Sequence, residues 1–294
     1  MTFNPVFIVA AAAFVLGLPV PAAAAPVEPK AAATGWATPW VKGTHDRVRL
    51  VAATRATGSA AGLSFGLEFR LDPAWKIFWR TPGDAGLPPH ADWSASRNVA
   101  SVDVRWPRPV RFSEYGITSW GYRDRVILPL TVTPRRAGSA VTLTAELRYQ
   151  VCKEICLLGE ARLSLTLPAG ADVASPAAAA IRRFTGLIPT PFAASDLVTL
   201  DVRAVRHGAV TNFLVTAQSR RALPPGLRAI VEAPSGVRVA SVATSRTEAP
   251  RTVRLRFAAR IAPPDRKLDG LPVTVTLLGD RLAVERKTRI EVAR

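Results

Sequence analysis

Hydrophobic and polar residues alternate with a period of two through much of the chain. In LSFGLEFRL, Leu63, Phe65, Leu67, Phe69 and Leu71 share one face, while Ser64, Gly66, Glu68 and Arg70 share the other. That is the signature of a strand with one side on a core and one toward water. VTLTAELRYQV repeats it, with Val141, Leu143, Ala145, Leu147, Tyr149 and Val151 opposite Thr142, Thr144, Glu146, Arg148 and Gln150, and ARLSLTL continues it from Ala161. Alternation of this kind predicts antiparallel pairing. Beyond Pro191 it returns in TVRLRFA, where Val253, Leu255 and Phe257 oppose Arg254 and Arg256, and in VTVTLL from Val273.

One segment departs from the period. SPAAAAIRRFTG predicts a short helix with Ser175 as N-cap, Pro176 in the first turn and Gly186 as the stop. It reads as a connector between two β domains. Strands at short intervals, Pro/Gly turns and no long amphipathic helix predict an all-β chain of two sandwiches rather than an α/β enzyme fold. The expected boundaries are a first sandwich over 36–170, a linker over 171–194 and a second sandwich over 195–294.

The N-terminus carries an address. VFIVAAAAFVLGLPV, from Val6 to Val20, precedes Pro21 and the run Ala22, Ala23, Ala24, Ala25. An apolar core followed by small residues predicts a secretory signal peptide over 1–25, although no Lys or Arg precedes it. Export places the remainder in an oxidising compartment, the periplasm if the source is bacterial, where two cysteines can pair.

The composition bounds the function. With 294 residues, 48% hydrophobic and 21% charged, the chain has enough material for real cores and is no disulfide-stapled miniprotein. No other stretch approaches bilayer length, which excludes a polytopic membrane protein. The balance of 39 Lys and Arg against 22 Asp and Glu gives +17. This excess is spread over both halves without a stripe or interleaved aromatics, so it predicts solvated strand faces, no nucleic-acid partner, and at most weak attraction to anionic surfaces. All seven Trp and all three Tyr fall between Trp36 and Tyr149, so any chemistry belongs to the first sandwich.

Cys152 and Cys156 lie in YQVCKEICLLGEARL, between two alternating segments. Four extended residues span roughly 13 Å, whereas a disulfide needs Cα atoms about 4.4 to 6.8 Å apart, so KEI must turn. The alternation places Cys152 on the polar face and predicts that it is accessible. Closing so short a loop stabilises the fold by roughly 2 kcal/mol, against about 4 for a loop of some sixty residues, which makes the pair a poor staple. The residues alone leave three readings open: an exchangeable bridge, a clip that pins a turn in a secreted binding, assembly or metal-stress module, and half of a metal site. His45, His90 and His207 are scattered, so neither a metal nor a cofactor is expected.

YGITSWGYRDRVILPL from Tyr115, LRYQVCKEICLLGEA from Leu147, and AWKIFWRTPGDAGLPP from Ala74 together resemble the N-terminal periplasmic domain of the DsbD/ScsB thiol:disulfide interchange proteins. The likeness runs from about Trp36 to Pro168 and is vaguer beyond. It implies an immunoglobulin-like fold and a protein-disulfide reductase activity that needs no cofactor. Electrons would come from a membrane thiol transporter and pass to a periplasmic thioredoxin-like acceptor. Cys156 would form mixed disulfides and Cys152 would resolve them. The family's cap over the cysteines maps onto Phe112 to Trp120, with Glu114 where a phenylalanine is usual, so either Tyr115 or Phe112 would shield the bridge or the cap would work differently. Trp79 would be an aromatic near the site, and Tyr122, Arg123 and Asp124 would either support the cap, as an ion pair or turn, or take part directly in catalysis. Full-length DsbD and ScsB continue into membrane and thioredoxin-like domains; this sequence ends at Arg294, so the expectation is either a donor on a separate polypeptide or a domain that has lost the relay role and uses the same scaffold otherwise.

Overall fold

Residues 33–207 and 210–292 are described in a computed structural model; the expected signal peptide over 1–25 lies outside the described residues. The alternating segments become strands. In chain order they are β1 (Ala33–Thr34), β2 (Val41–Lys42), β3 (Asp46–Ala52), β4 (Leu63–Leu71), β5 (Lys76–Gly83), β6 (His90–Asp92), β7 (Val99–Val104), β8 (Val110–Glu114), β9 (Ile117–Arg123), β10 (Arg125–Pro134), β11 (Val141–Cys152) and β12 (Cys156–Leu167). After helix α1 (Ala178–Thr185) come β13 (Thr190–Pro191), β14 (Leu197–His207), β15 (Val210–Ser219), β16 (Arg228–Glu232), β17 (Val237–Val239), β18 (Ser245–Ala249), β19 (Thr252–Ile261), β20 (Pro272–Leu278) and β21 (Ala283–Val292). No helix among the described residues is long and apolar enough to cross a membrane.

The first twelve strands form two facing sheets, one in the order β1-β12-β11-β5-β9-β8 with β6 beside β11, the other β2-β3-β4-β10-β7. The predicted core faces meet between them. Phe65, Leu67 and Phe69 of β4 pack with Leu143, Leu147 and Val151 of β11 and with Ile77 and Trp79 of β5. Each such side chain contributes on the order of 1.5–3 kcal/mol by leaving water. Tyr149 joins the layers, its hydroxyl donating to Asp46 Oδ2 of the opposite sheet at 2.5 Å.

Glu68 lies on the face of β4 expected to be polar, yet it is only 1% exposed. Arginines from three adjacent strands close over it: Arg49 Nε at 2.7 Å, Arg125 Nε at 2.9 Å and Arg70 Nε at 3.5 Å. Further along this outer face, Ala177 and Ile181 pack on Val51 and Ile127. The helical segment is therefore more than a connector. It also starts later than expected, at Ala178 rather than after Ser175. The Ser175 hydroxyl donates to the Ala52 carbonyl and accepts the Ala177 N–H at 3.0 Å, anchoring the segment to β3. Gly186 ends the helix as predicted.

The remaining strands build one nine-stranded sheet, β16-β20-β21-β14-β15-β19-β17, with β13 on β21 and β18 on β19. The first part of β21 pairs antiparallel with β20 and its last residues pair parallel with β14, so this strand joins the two halves of the sheet. Phe213, Val215, Leu255, Phe257, Val275 and Leu277 fill a second core. The two cores are not isolated, since Ile230 and Leu278 from the later strands pack into the first. Arg80 of β5 reaches across to Glu232, with Nη2–Oε1 at 2.6 Å, and also bonds Glu285. Burial opposes the Arg80 charge, but the two carboxylates outweigh it and hold its pKa above the ordinary value.

Candidate functional site

The β11–β12 hairpin pairs in register from Val141 opposite Leu167 to Cys152 opposite Cys156. KEI is the turn, as the spacing required, and the Lys153 N–H donates to the Ile155 carbonyl at 2.9 Å. Directly opposed cross-strand positions bring the Cα atoms to 4.1 Å, and the two sulfurs are bonded. The bridge closes the tip of the hairpin, but its two ends meet different surroundings. Cys156 is exposed, whereas Cys152 is 1% exposed.

The expected accessibility of Cys152 is thus corrected. It occupies the outward face, but β5 continues the sheet beside it and places Lys76 opposite Cys152. Lys76 is itself buried, with Nζ 2.5 Å from Glu114 Oε2 and 5.1 Å from the centre of the Phe112 ring. Arg123 of β9 lies 5.0 Å from the same ring. Strand pairing puts Phe112 and Glu114 on the face of Lys76 and Arg123, because Phe112 opposes Ser119, Glu114 opposes Ile117, and Lys76 opposes Arg123. A second cover comes from the segment after β5, where the Leu87 N–H donates to Gln150 Oε1 at 3.1 Å, two residues before Cys152.

The other residues assigned to the cap separate. Tyr115 sits at the β8–β9 turn with Gly116, both with positive φ (51° and 76°), and is 89% exposed, so its ring covers nothing there. Two consecutive positive φ values are those of a tight hairpin turn whose twist matches the strands. Trp79 faces the other way. It shares the core side of β5 with Ile77, which pairs with Val151, and it is fully buried between the sheets. Phe78 takes the outward, buried position instead. The Tyr122 hydroxyl donates to the Pro107 carbonyl at 2.7 Å, and Asp124 makes the β9–β10 turn with φ 59°.

Sequence reasoning missed Lys76. Its signal was a lone cation in the apolar run AWKIFW, but only the pairing of β5 with β11 reveals that it abuts a cysteine. It also missed the apolar surroundings of Cys156. Ile155 is 63% exposed in the turn, and Leu158, opposite Gln150 on the outward face, is 76% exposed. Among the described residues, no group of three or more His, Cys, Asp or Glu is arranged to hold a metal ion.

Comparison with known proteins agrees with this geometry. Residues 47–168 match the family model described as thiol:disulfide interchange protein DsbD, N-terminal. The fold is similar to the crystal structure of the N-terminal periplasmic domain of ScsB from Proteus mirabilis, with a TM-score of 0.70 and 19% identity over 88% of this chain and 99% of that one. At that identity the likeness concerns the fold, and its coverage extends well beyond residues 47–168. No curated protein shows significant similarity. The segment from residue 47 to residue 168, with its bonded cysteine pair, is an immunoglobulin-like N-terminal domain of the DsbD type.

Proposed function

We propose that the chain is a periplasmic thiol:disulfide relay, exported by its N-terminal segment, that works through Cys152 and Cys156. The observation that carries this reading is the asymmetry of the bridge: one sulfur is exposed at a hairpin tip and its partner is buried beside Lys76. In-line attack on a disulfide requires access to one sulfur only, and the second is needed solely to resolve the intermediate.

In the reduced state, the Cys156 thiolate attacks a disulfide of a thioredoxin-like acceptor. One Cys156–acceptor S–S bond forms and one acceptor thiolate leaves, taking up a proton. Cys152 then loses its proton and attacks Cys156 Sγ, forming the internal bond and expelling the second acceptor thiolate, which is protonated in turn. Two electrons have passed to the acceptor. A dithiol of a membrane thiol transporter reverses the sequence, attacking Cys156 Sγ and expelling Cys152. Ile155, Leu158 and Leu87 supply an exposed apolar rim that a partner can cover during these steps.

The test is trapping. Reduced Cys152→Ser is mixed with an oxidised thioredoxin-like periplasmic protein, and the products are separated without reductant. Accumulation of an adduct through Cys156, absent in Cys156→Ser, supports the relay. No adduct with either variant, or equal adducts with both, refutes it.

A further inference from the structure

The β8–β9 hairpin has a second face. Opposite the side that carries Phe112 and Glu114, the cross-strand partners Arg111 and Trp120 point toward the later strands and line a cavity of about 320 Å³. From across the gap come Arg228, Arg246, Leu255 and Phe257. This volume is at the small end of ordinary ligand pockets.

Two features of the wall lack internal explanation. Trp120 is 3% exposed, and its enclosed Nε1 has no acceptor among the described residues; the same holds for Nε of Arg111 beside it. Buried donors are nearly always paired, by protein, water or ligand. The charge is also one-sided. Arg246 meets Glu248 at 3.4 Å, but among the described residues Arg111 donates only to the Thr118 hydroxyl, at 3.3 Å, and no carboxylate contacts Arg228. Ser241, also in the wall, is held by Asp84 at 2.7 Å, which closes one end of the gap by joining the two halves of the chain.

We propose that this cavity binds a small organic anion, a carboxylate with an apolar body. Guanidinium groups suit a planar carboxylate, which accepts two parallel N–H bonds. Val242, which is 41% exposed in the wall and backed by the buried Leu255 and Phe257, leaves an apolar surface that an inorganic anion would not cover, and the guanidinium cluster repels cations. The site stands apart from the thiol chemistry, so its fate does not depend on the relay.

Octanoate is the probe, with inorganic phosphate and octanol as controls, titrated into the whole oxidised chain labelled with ¹⁵N. The Trp120 indole resonance is assigned through Trp120→Phe. Octanoate is expected to shift it saturably, with phosphate and octanol leaving it in place. Arg228→Gln, at an exposed strand position that leaves the fold intact, is expected to weaken octanoate by at least about tenfold, the effect of one charged hydrogen bond. Failure of octanoate to move the resonance overturns the proposal. So does an equal response to phosphate, an equal response to octanol, or unchanged affinity in Arg228→Gln when its unfolding curve matches that of the parent.

Discussion

Lys76 stands opposite Cys152 across the β5–β11 ladder while its ammonium is held by Glu114 from the β8–β9 tip, at 2.5 Å. The hairpin that shades the bridge is thereby tied by one ion pair to the strand beside it. Glu114→Gln leaves a buried ammonium without its counter-charge. Because Glu114 itself is half exposed, solvent screens part of the loss, and a destabilisation of about 1 kcal/mol is expected in urea unfolding. Reduction of the Cys152–Cys156 bond by dithiothreitol should accelerate, since the cover opens more often. An unchanged reduction rate would show that Glu114 does not restrain access.

The two thiols of the reduced protein should differ in reactivity. Cys156 is open to reagent, whereas Cys152 is reached only when the residues around it move apart. Pulse labelling with iodoacetamide, read by mass spectrometry of the peptides, should show Cys156 modified roughly tenfold faster or more. Equal rates would mean that reduction frees both sulfurs alike.

Much of the first sandwich was legible because half-buried antiparallel strands write their two faces as alternating letters; Leu63 to Leu71 and Val141 to Val151 adopt the predicted faces. What alternation cannot convey is what covers the outward face. Cys152 and Glu68 both lie on the face expected to be polar, and both are buried, by groups far away in sequence: Lys76 for the cysteine, Arg49 and Arg125 for the carboxylate. The run from Trp75 to Trp79 is buried on both sides, so it carries no period, and the inward orientation of Trp79 could be read only from register. The turn between the cysteines was legible from spacing alone, because bond geometry allows nothing else.

Asp46 makes stability depend on pH in an unusual sense. Burial raises its pKa from the ordinary 3.8, and the hydrogen bond from Tyr149, which lowers it, does not fully compensate; Asp72 raises it further and His45 lowers it. The folded state therefore holds a proton that the unfolded state has released across the window between the ordinary and the raised value. Stability falls as pH rises through that window and is level above it. Asp46→Asn removes the titration and keeps an acceptor for Tyr149. The stability of the parent relative to this variant should be greatest at acid pH and decline toward neutrality, as followed by urea unfolding at several pH values. A parent that gains on the variant with rising pH would contradict the raised pKa.

Glu68 offers the sharpest test of what holds the five-stranded sheet together. Its carboxylate is 1% exposed and accepts from Arg49, Arg125 and Arg70, so β3, β4 and β10 converge on one anion. Glu68→Gln keeps the shape but removes the charge, leaving three guanidinium groups to repel one another around a neutral amide. Removing one partner of a fully buried pair costs about 3–5 kcal/mol, but Arg70 and Arg125 are some two-fifths exposed and shed part of that penalty into water. A loss of about 2–3 kcal/mol is therefore expected, seen as a lower urea midpoint with an unchanged slope. Thiol exchange should be unaffected, because the cysteines lie on the other sheet. If the midpoint does not move, the arginines are solvated well enough on their own, and the strands are held by the apolar face of β4 and by α1 alone.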